Sequence, residues 1–529
     1  MGYYLAHAGT KLQKITVAGT VSDLTMPTGV TVSATKATQF AALAGSILAT
    51  YGPTKNVRIN ASTLGCFPLS ITTPSTVITV AVGAAGVLTG DYLYKVSFVD
   101  KDSAVVVSES PLSGASSTLT LAAQRGTLSA IPVSTDDGVN CRRLYRTTSG
   151  GSVFFFLADI DDNSTTTYSD NIADAALGTT AAATDLGNPA GTTASDNMPL
   201  IVAWKDRLWA VWSSNVDAVY YSGINRWYAW SASNFLPINP KGLGLSGVTA
   251  LLKRRDELGV AKRRGLWKIV GSDAANYQVI QVHAGVGVIA PTSVVVVRDT
   301  AYFLAEDGVY AWDASGVRPL DSARVAAWFG TDTYFNRGRF ANAFASWNQQ
   351  EDTYELHLAA ADSEVEDRWV SFDLQREVWL GPHKTDVTTP TVAWNLEDIY
   401  GRAMGVMGGT NGYLYRCNDT SYEDGAVPVQ FDVTTAVLNA GVPGIEKYFG
   451  ELTVLTAAQA SGDMTITPYV GSLSATAGAT ITHSLTLDRA RYRRMGQGRE
   501  MWLRFQQSTA VGCELHGFEI VPVSIVGTR

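Results

Sequence analysis

A hairpin unit recurs along this chain, most often at a spacing of roughly 43–47 residues, a period that belongs to repeat architectures. The clearest copies read RRGLWKIV (Arg263 to Val270), EDGVYAWD around Gly308 and TNGYLYRC around Gly412. Each has an apolar run, a polar turn carrying Gly, and a short aromatic-rich strand. Fainter copies sit at AGTKLQKI (Ala8 to Ile15), PTKNVRIN (through Val57 and Ile59), NVDAVYYS (through Val219 and Ser222) and DRWVSFD (through Trp369 and Phe372). The midpoints fall near residues 12, 57, 219, 266, 309, 369 and 413, and the long step from 309 to 369 calls for an extended loop. Strand-only units with a period in the forties predict β-propeller blades of about four strands each. Seven units suggest seven blades; six stays open, because terminal units can share one blade by strand exchange.

Two stretches break the series. In GDYLYKVSFVD, Tyr92, Tyr94, Val96 and Phe98 fall on one face and Asp91, Lys95 and Ser97 on the other, with Leu93 as an exception; this is the period-two pattern of a half-buried strand. Further strands follow at STLTLAA, NCRRLYRTT and VFFFLADI, separated by the turns VDKDS, STDDG and TSGGS. Residues 83–178 therefore read as a fibronectin type III-like β-sandwich inserted between two propeller parts, 1–82 and 198–426, with a linker or arm at 179–197. From 427 to 529 six strand-like segments predict a C-terminal β-sandwich. The expected fold class is all-β: a propeller of six or seven blades, an inserted sandwich and a terminal one. The nearest helical candidates, AALAGSIL and SARVAAWF, are short enough to be strands or single turns.

A chain of 529 residues accommodates two to four domains, and 46% hydrophobic with 17% charged residues is a globular composition. The net charge of −8 disfavours a dedicated protein that coats nucleic-acid phosphates, and leaves open a passive channel for nucleic acid, where net repulsion would help a polymer slide. The N-terminus lacks the basic and apolar regions of a signal peptide, and VITVAVGAAGVL is too short to span a bilayer, so neither secretion nor membrane insertion is expected.

Chemistry-bearing patterns are sparse. Cys66, Cys141, Cys417 and Cys513 lack metal-ligand spacing; free thiols are the preferred state, with one disulfide left open. STDDG (Ser134 to Gly138) begins like a sialidase Asp-box but lacks the following aromatic, so a turn is preferred. Two carboxylate clusters, Asp159/Asp161/Asp162 and Asp362/Glu364/Glu366/Asp367, read as solvated turns rather than glycosidase or calcium sites. INRWYAW, with Trp227, Tyr228 and Trp230, reads as filling between blades rather than a sugar platform. Two basic clusters are expected at hairpin tips: Lys253, Arg254, Arg255, Lys262, Arg263, Arg264 and Lys268, and Arg489, Arg491, Arg493, Arg494 and Arg499. Partner contact and edge protection are balanced readings for both, with DNA contact third. No catalytic, cofactor-binding or metal residue is assigned, and no enzyme activity is expected.

The order of units, together with LTGDYLYKVSFVD, SESPLSG, RRLYRTTSGGSVFFFLADI, TTYSDN, WKDRLWAV and DAVYYSGINRWYAW, resembles the nozzle or tail-hub proteins of short-tailed bacteriophages. The resemblance implies a virion structural protein assembled in the host cytoplasm. It implies a hexameric ring below portal and adaptor, continuing the DNA-ejection channel, helping to retain the genome and anchoring tail fibres or spikes. Its partners would be further copies of itself, adaptor proteins, fibres and passing double-stranded DNA, with no cofactor. A carbohydrate-binding or carbohydrate-cleaving propeller is the alternative, and a bacterial surface adhesin a third reading.

Overall fold

A computed structural model of the chain describes residues 2–102, 105–180, 197–231, 233–238, 247–320, 325–385, 387–397, 402–417, 423–424, 427–441, 444–471, 476–520 and 523–525. The chain is all-β, built from many small antiparallel sheets. It divides into two compact units, residues 1–382 with 392–404, and residues 383–391 with 405–529.

Seven small sheets follow one another along the sequence, and each carries one of the seven hairpin units. The first is Tyr3–Ala8, Lys11–Thr16 and Val21–Asp23; the second is Gln39–Leu43, Ser46–Thr50, Val57–Asn60 and Cys66–Pro68. The third holds Leu200–Trp204, Arg207–Trp212, Asn215–Tyr221 and Phe235–Pro237, and the fourth Val248–Lys253, Leu258–Lys262, Gly265–Val270 and Gln278–His283. The fifth is Val295–Val297, Thr300–Leu304, Val309–Asp313 and Gly316–Pro319, and the sixth Phe344–Asn348, Thr353–Leu358, Arg368–Asp373 and Val378–His383. The seventh comprises Pro390–Glu397, Ala403–Gly409 and Leu414–Arg416. In every case strands pair in sequence order, as a meander does.

Turn chemistry fixes these hairpins. AALAGSIL is not a helix: Ala44 and Gly45 take φ of 49° and 74°, the left-handed pair of a type I′ turn between its first two strands. The same solution recurs at Lys205–Asp206 and Arg298–Asp299. SARVAAWF does contain a short helix, Ala326–Gly330, and a 3-10 segment follows at Arg337–Asn342. These pieces account for the long step between the fifth and sixth units. They are not loose loop, because Phe329, Phe335 and Phe340 are buried in the core shared by the fifth and sixth sheets.

The 79–176 segment forms two sheets. One orders Val105–Glu109, Tyr94–Asp102, Cys141–Thr147 and Phe154–Ile160; the other orders Tyr168–Asp170, Leu119–Ser129 and Thr79–Tyr92. Tyr92, Tyr94, Val96, Leu121, Leu128 and Leu144 share one core between them. The expected half-buried strand is in fact covered on both faces, since Ser97 and Val99 are as fully buried as Val96.

SESPLSG has a specific structural use. Past Glu109 the chain runs beside Tyr94–Asp102 with three residues for every two. The amides of Ser110, Ser113 and Ser116 donate to the carbonyls of Phe98, Val96 and Tyr94 at 2.8–2.9 Å. Their hydroxyls accept from the amides of the same three residues at 2.9, 3.1 and 3.0 Å. The strand edge is thereby satisfied without a regular partner strand. Beneath it, Arg146 and Asp170 form a fully buried pair at 2.6 Å that also takes the Tyr94 hydroxyl, at 2.9 Å.

The second unit contains two further sheets around a common core. One is built from Phe431–Thr434, Glu500–Gln507 and Asp463–Gly471, with Thr476–Ala477 and Ile481–Ser484 beside the last; the other from Arg489–Gly498, Lys447–Thr456 and Leu515–Ile520, with Val523–Ile525. Leu452, Val454, Met464, Ile466, Leu503 and Phe505 are fully buried between them.

Candidate functional site

Side chains on or beside the connecting turns join neighbouring sheets of the series. Lys205, in the first turn of the third sheet, donates to the carbonyls of Asp256 and Gly271 in the fourth at 3.3 and 2.8 Å. Arg254, in the corresponding turn of the fourth sheet, donates to the Asp299 carbonyl of the fifth at 2.9 Å and lies over the Trp312 ring. Arg298 of the fifth makes a two-pronged contact with Asp352 of the sixth, at 3.0 Å on each arm. Asn395 of the seventh donates to the Trp347 carbonyl of the sixth. At the other end of the series, Tyr51 donates its amide to Asn197 at 2.7 Å, and the Tyr3 hydroxyl donates to Ala61. Each of the seven small sheets is thus tied to the next of the series.

The first basic cluster does gather at the two hairpin turns of the fourth sheet, with Lys253, Arg255, Arg263 and Arg264 exposed, but part of its charge is engaged within the chain. Arg254 and Lys262 are buried, and Lys262 reaches back to Asp217 of the third sheet at 2.6 Å. Lys268 pairs with Glu257 at 3.0 Å, and Arg264 with Glu306 of the fifth sheet at 2.7 Å. These pairings have no local signature, because Asp217 and Glu306 come from the neighbouring third and fifth sheets.

The 79–176 segment is seated on the second and third sheets by a second set of contacts. Arg58 of the second sheet pairs with Asp100, while Ile71, Phe98 and Val139 make a small apolar cluster. STDDG is a turn, as expected, with the Asp136 amide on the Ser134 hydroxyl at 3.1 Å. It is also a clasp: Asp136 accepts from the Thr72 amide at 2.6 Å and Asp137 from the Thr28 amide at 3.0 Å. Gly138, at φ +89°, lies so close to Phe67 that a Cβ there would stand 2.5 Å from the ring. Trp227 and Trp230 are buried in the core that joins the second and third sheets, so this run offers no sugar platform.

In the first carboxylate cluster Asp159 sits in an ion-pair network, while Asp161, 75% exposed, and Asp162, which pairs with Arg142 at 2.8 Å and accepts from the Ser164 and Thr165 amides at 2.7 Å, lie in the expected turn. Arg143 holds Asp159 at 2.8 Å and Lys101 bridges Asp159 and Asp161 at 2.5 and 2.7 Å. Burial pushes the Asp159 carboxyl up, yet Arg143 and Lys101 together keep it below the usual carboxylate range. The Cys141 thiol beside them is pushed up to about 11, by burial first and Asp159 second, which makes it a poor nucleophile. Cys141, Asp159 and Asp161 are close enough to share a cation, but the Lys101 ammonium already fills that role. Cys66 and Cys513 are likewise free thiols.

In the second cluster Glu366 pairs with Arg339 at 3.1 Å and Asp367 with Arg368 at 2.7 Å, while Asp362 and Glu364 are exposed. Of the linker or arm at 179–197, residues 181–196 lie outside the described residues. A shallow cleft of about 330 Å³ is lined by Gly2, Tyr3, Tyr4, Gln349, Asn395 and Leu396, so the first sheet and the beginning of the seventh share one surface.

The second basic cluster is exposed, but most of it lies along a strand and not at a hairpin tip. Arg489–Gly498 is a ten-residue strand ending its sheet. Arg489, Arg491 and Arg493 share its open face, and the Arg491 and Arg493 side chains are 60% and 84% exposed. Glu451 sits across from them at 3.8 and 3.5 Å. The alternation of Arg with Ala490 and Tyr492 was the available strand signal. Arg499 follows at the turn, and the Arg494 side chain lies outside the described residues. Compared with known proteins, the chain matches no family model and no curated protein at a significant level.

Proposed function

We propose that this chain is a structural protein of a bacteriophage tail, a ring-forming nozzle or hub that continues the DNA-ejection channel below portal and adaptor. In this reading the seven consecutive sheets are the blades of a propeller, and the two-sheet modules at 79–176 and 431–525 are sandwiches. The observation that carries the reading is the sheet-to-sheet series of side-chain ties. It runs from Tyr3–Ala61 through Arg254–Asp299 and Arg298–Asp352 to Asn395–Trp347, and both its ends line one cleft.

These ties favour a load-bearing role. Cations on the connecting turns are committed to carboxylates or carbonyls of the adjacent sheet, where they add rigidity, instead of converging on a substrate. The 79–176 module is clamped down by Arg58–Asp100 and the Asp136 and Asp137 clasps, which suits a ring that passes a polymer under pressure. The net charge of −8 lowers the affinity of its surfaces for the DNA that slides past.

Immunogold labelling of intact virions with antibody to this chain tests the assignment. Label at the tail, on the portal side of the fibre attachment, is the expected result. Virions that carry no label anywhere would refute it.

A further inference from the structure

The sequence contains one run of three basic residues at alternate positions, Arg489, Arg491 and Arg493, and one of three acidic residues, Asp362, Glu364 and Glu366. The structure leaves both unfinished. Alternate side chains on a strand repeat every ~6.7 Å, so the three arginines form an evenly spaced exposed row at the end of their sheet. Glu451 is shared loosely between Arg491 and Arg493, and Glu519, two strands away, is the other carboxylate of that face. Arg489 makes no ion pair among the described residues.

The acidic run lies in the turn between the second and third strands of the sixth sheet. Its shape is self-supported: the Ser363 amide donates to the Ala360 carbonyl at 2.9 Å, and the Ser363 hydroxyl to that of Val365 at 2.9 Å. Glu366 is engaged by Arg339. Asp362 and Glu364 are exposed and make no ion pair among the described residues, with Val365, 44% exposed, beside them.

We infer that the Arg489–Arg493 row of one copy docks the Asp362–Glu364 turn of a second copy. The match of charge selects the occupant. Because the two surfaces are different patches of one chain, the contact is head-to-tail, the kind that closes into a ring when the rotation per copy allows it. The inference rests on the ring reading above and specifies one contact within it.

The test is charge exchange, read by sedimentation velocity of the full chain at low and high salt. Arg491→Glu with Arg493→Glu should weaken self-association about tenfold, and Asp362→Lys with Glu364→Lys should do the same. A chain carrying all four substitutions should recover it. Since all four positions are exposed, unchanged melting temperatures are expected, and Arg491→Gln with Arg493→Gln, which should lower the salt dependence, provides a second readout. Wild-type self-association that neither reversal weakens, or that the fourfold variant fails to recover, would overturn the contact. So would a wild-type chain with no self-association. If both reversal variants still form rings on the portal–adaptor complex, the contact is wrong while the ring reading stands; if wild type forms none there, the ring reading itself fails.

Discussion

Arg58 and Asp100 form an ion pair between the second sheet and the 79–176 module, with the guanidinium 4.4 Å from the Phe67 ring centre and 5.4 Å from that of Trp227. The Arg58 side chain is only 3% exposed. Burial lowers its pKa despite Asp100, and burial raises that of Asp100 despite Arg58. A charge so enclosed depends on its partner. Asp100→Ala should therefore destabilise the chain by about 3–5 kcal/mol, the usual cost of stranding a buried charge. Adding Arg58→Met should restore part of that loss, because an apolar side chain suits the space between two rings. Urea denaturation of the single and double variants measures both effects. Removal of the entire module would uncover Phe67, Ile71 and Arg58 together, so its absence should destabilise the second sheet.

His357 offers a test through pH. It lies fully buried between the Phe344 and Trp369 rings, at centroid distances of 4.4 and 5.6 Å, and neither ring nitrogen has a hydrogen-bond partner among the described residues. Burial lowers its pKa from 6.5 to about 3. Between those values the unfolded chain binds a proton that the folded chain refuses. Stability is therefore lost as pH falls through that window, with a slope of up to about 1.4 kcal/mol per pH unit. His357→Phe should abolish this component and stabilise the neutral-pH protein by about 1–3 kcal/mol, as the orphaned nitrogens disappear. Denaturation midpoints from about pH 3 to about pH 7, which cover the window between the two values, decide it; a variant with unchanged slope would contradict the assignment.

The serine ladder predicts a graded response. Ser113→Ala removes the acceptor of the buried Val96 amide but leaves the Ser113 amide free to donate to the Val96 carbonyl. The expected loss is about 1–2 kcal/mol, with a similar loss for Ser110→Ala and for Ser116→Ala. Hydrogen exchange at Tyr94, Val96 and Phe98 should speed up at the one amide whose serine was changed.

Within the first basic cluster, Arg254→Ala and Arg263→Ala should differ sharply. Arg254 is buried against Trp312 and binds the Asp299 carbonyl, so its loss should cost about 2–4 kcal/mol. The Arg263 side chain is 52% exposed and 3.5 Å from Glu306, and its loss should stay within about 0.5 kcal/mol. Thermal melts of the two variants suffice.

That contrast also shows what was readable in the chain. Recurrence of a short hairpin pattern at a near-regular spacing located all seven units, because each copy is a local signal. The pairing of Arg58 with Asp100, or of Lys262 with Asp217, has no local signature: each depends on which strands tertiary packing brings together. The Arg489–Gly498 strand was hidden for another reason. Arginine on its open face masked an alternation whose inner members, Ala490 and Tyr492, are individually weak. The Asp159 network looked like a solvated turn because Lys101 and Arg143 come from other strands.

The central claim is that copies of this chain form a ring around a DNA channel. Electron microscopy of the purified chain mixed with the portal–adaptor complex of its virion tests it most directly. The account predicts a ring with an open axial channel, coaxial with the portal. Chains that stay separate from the complex, while other tail proteins bind it under the same conditions, would contradict it.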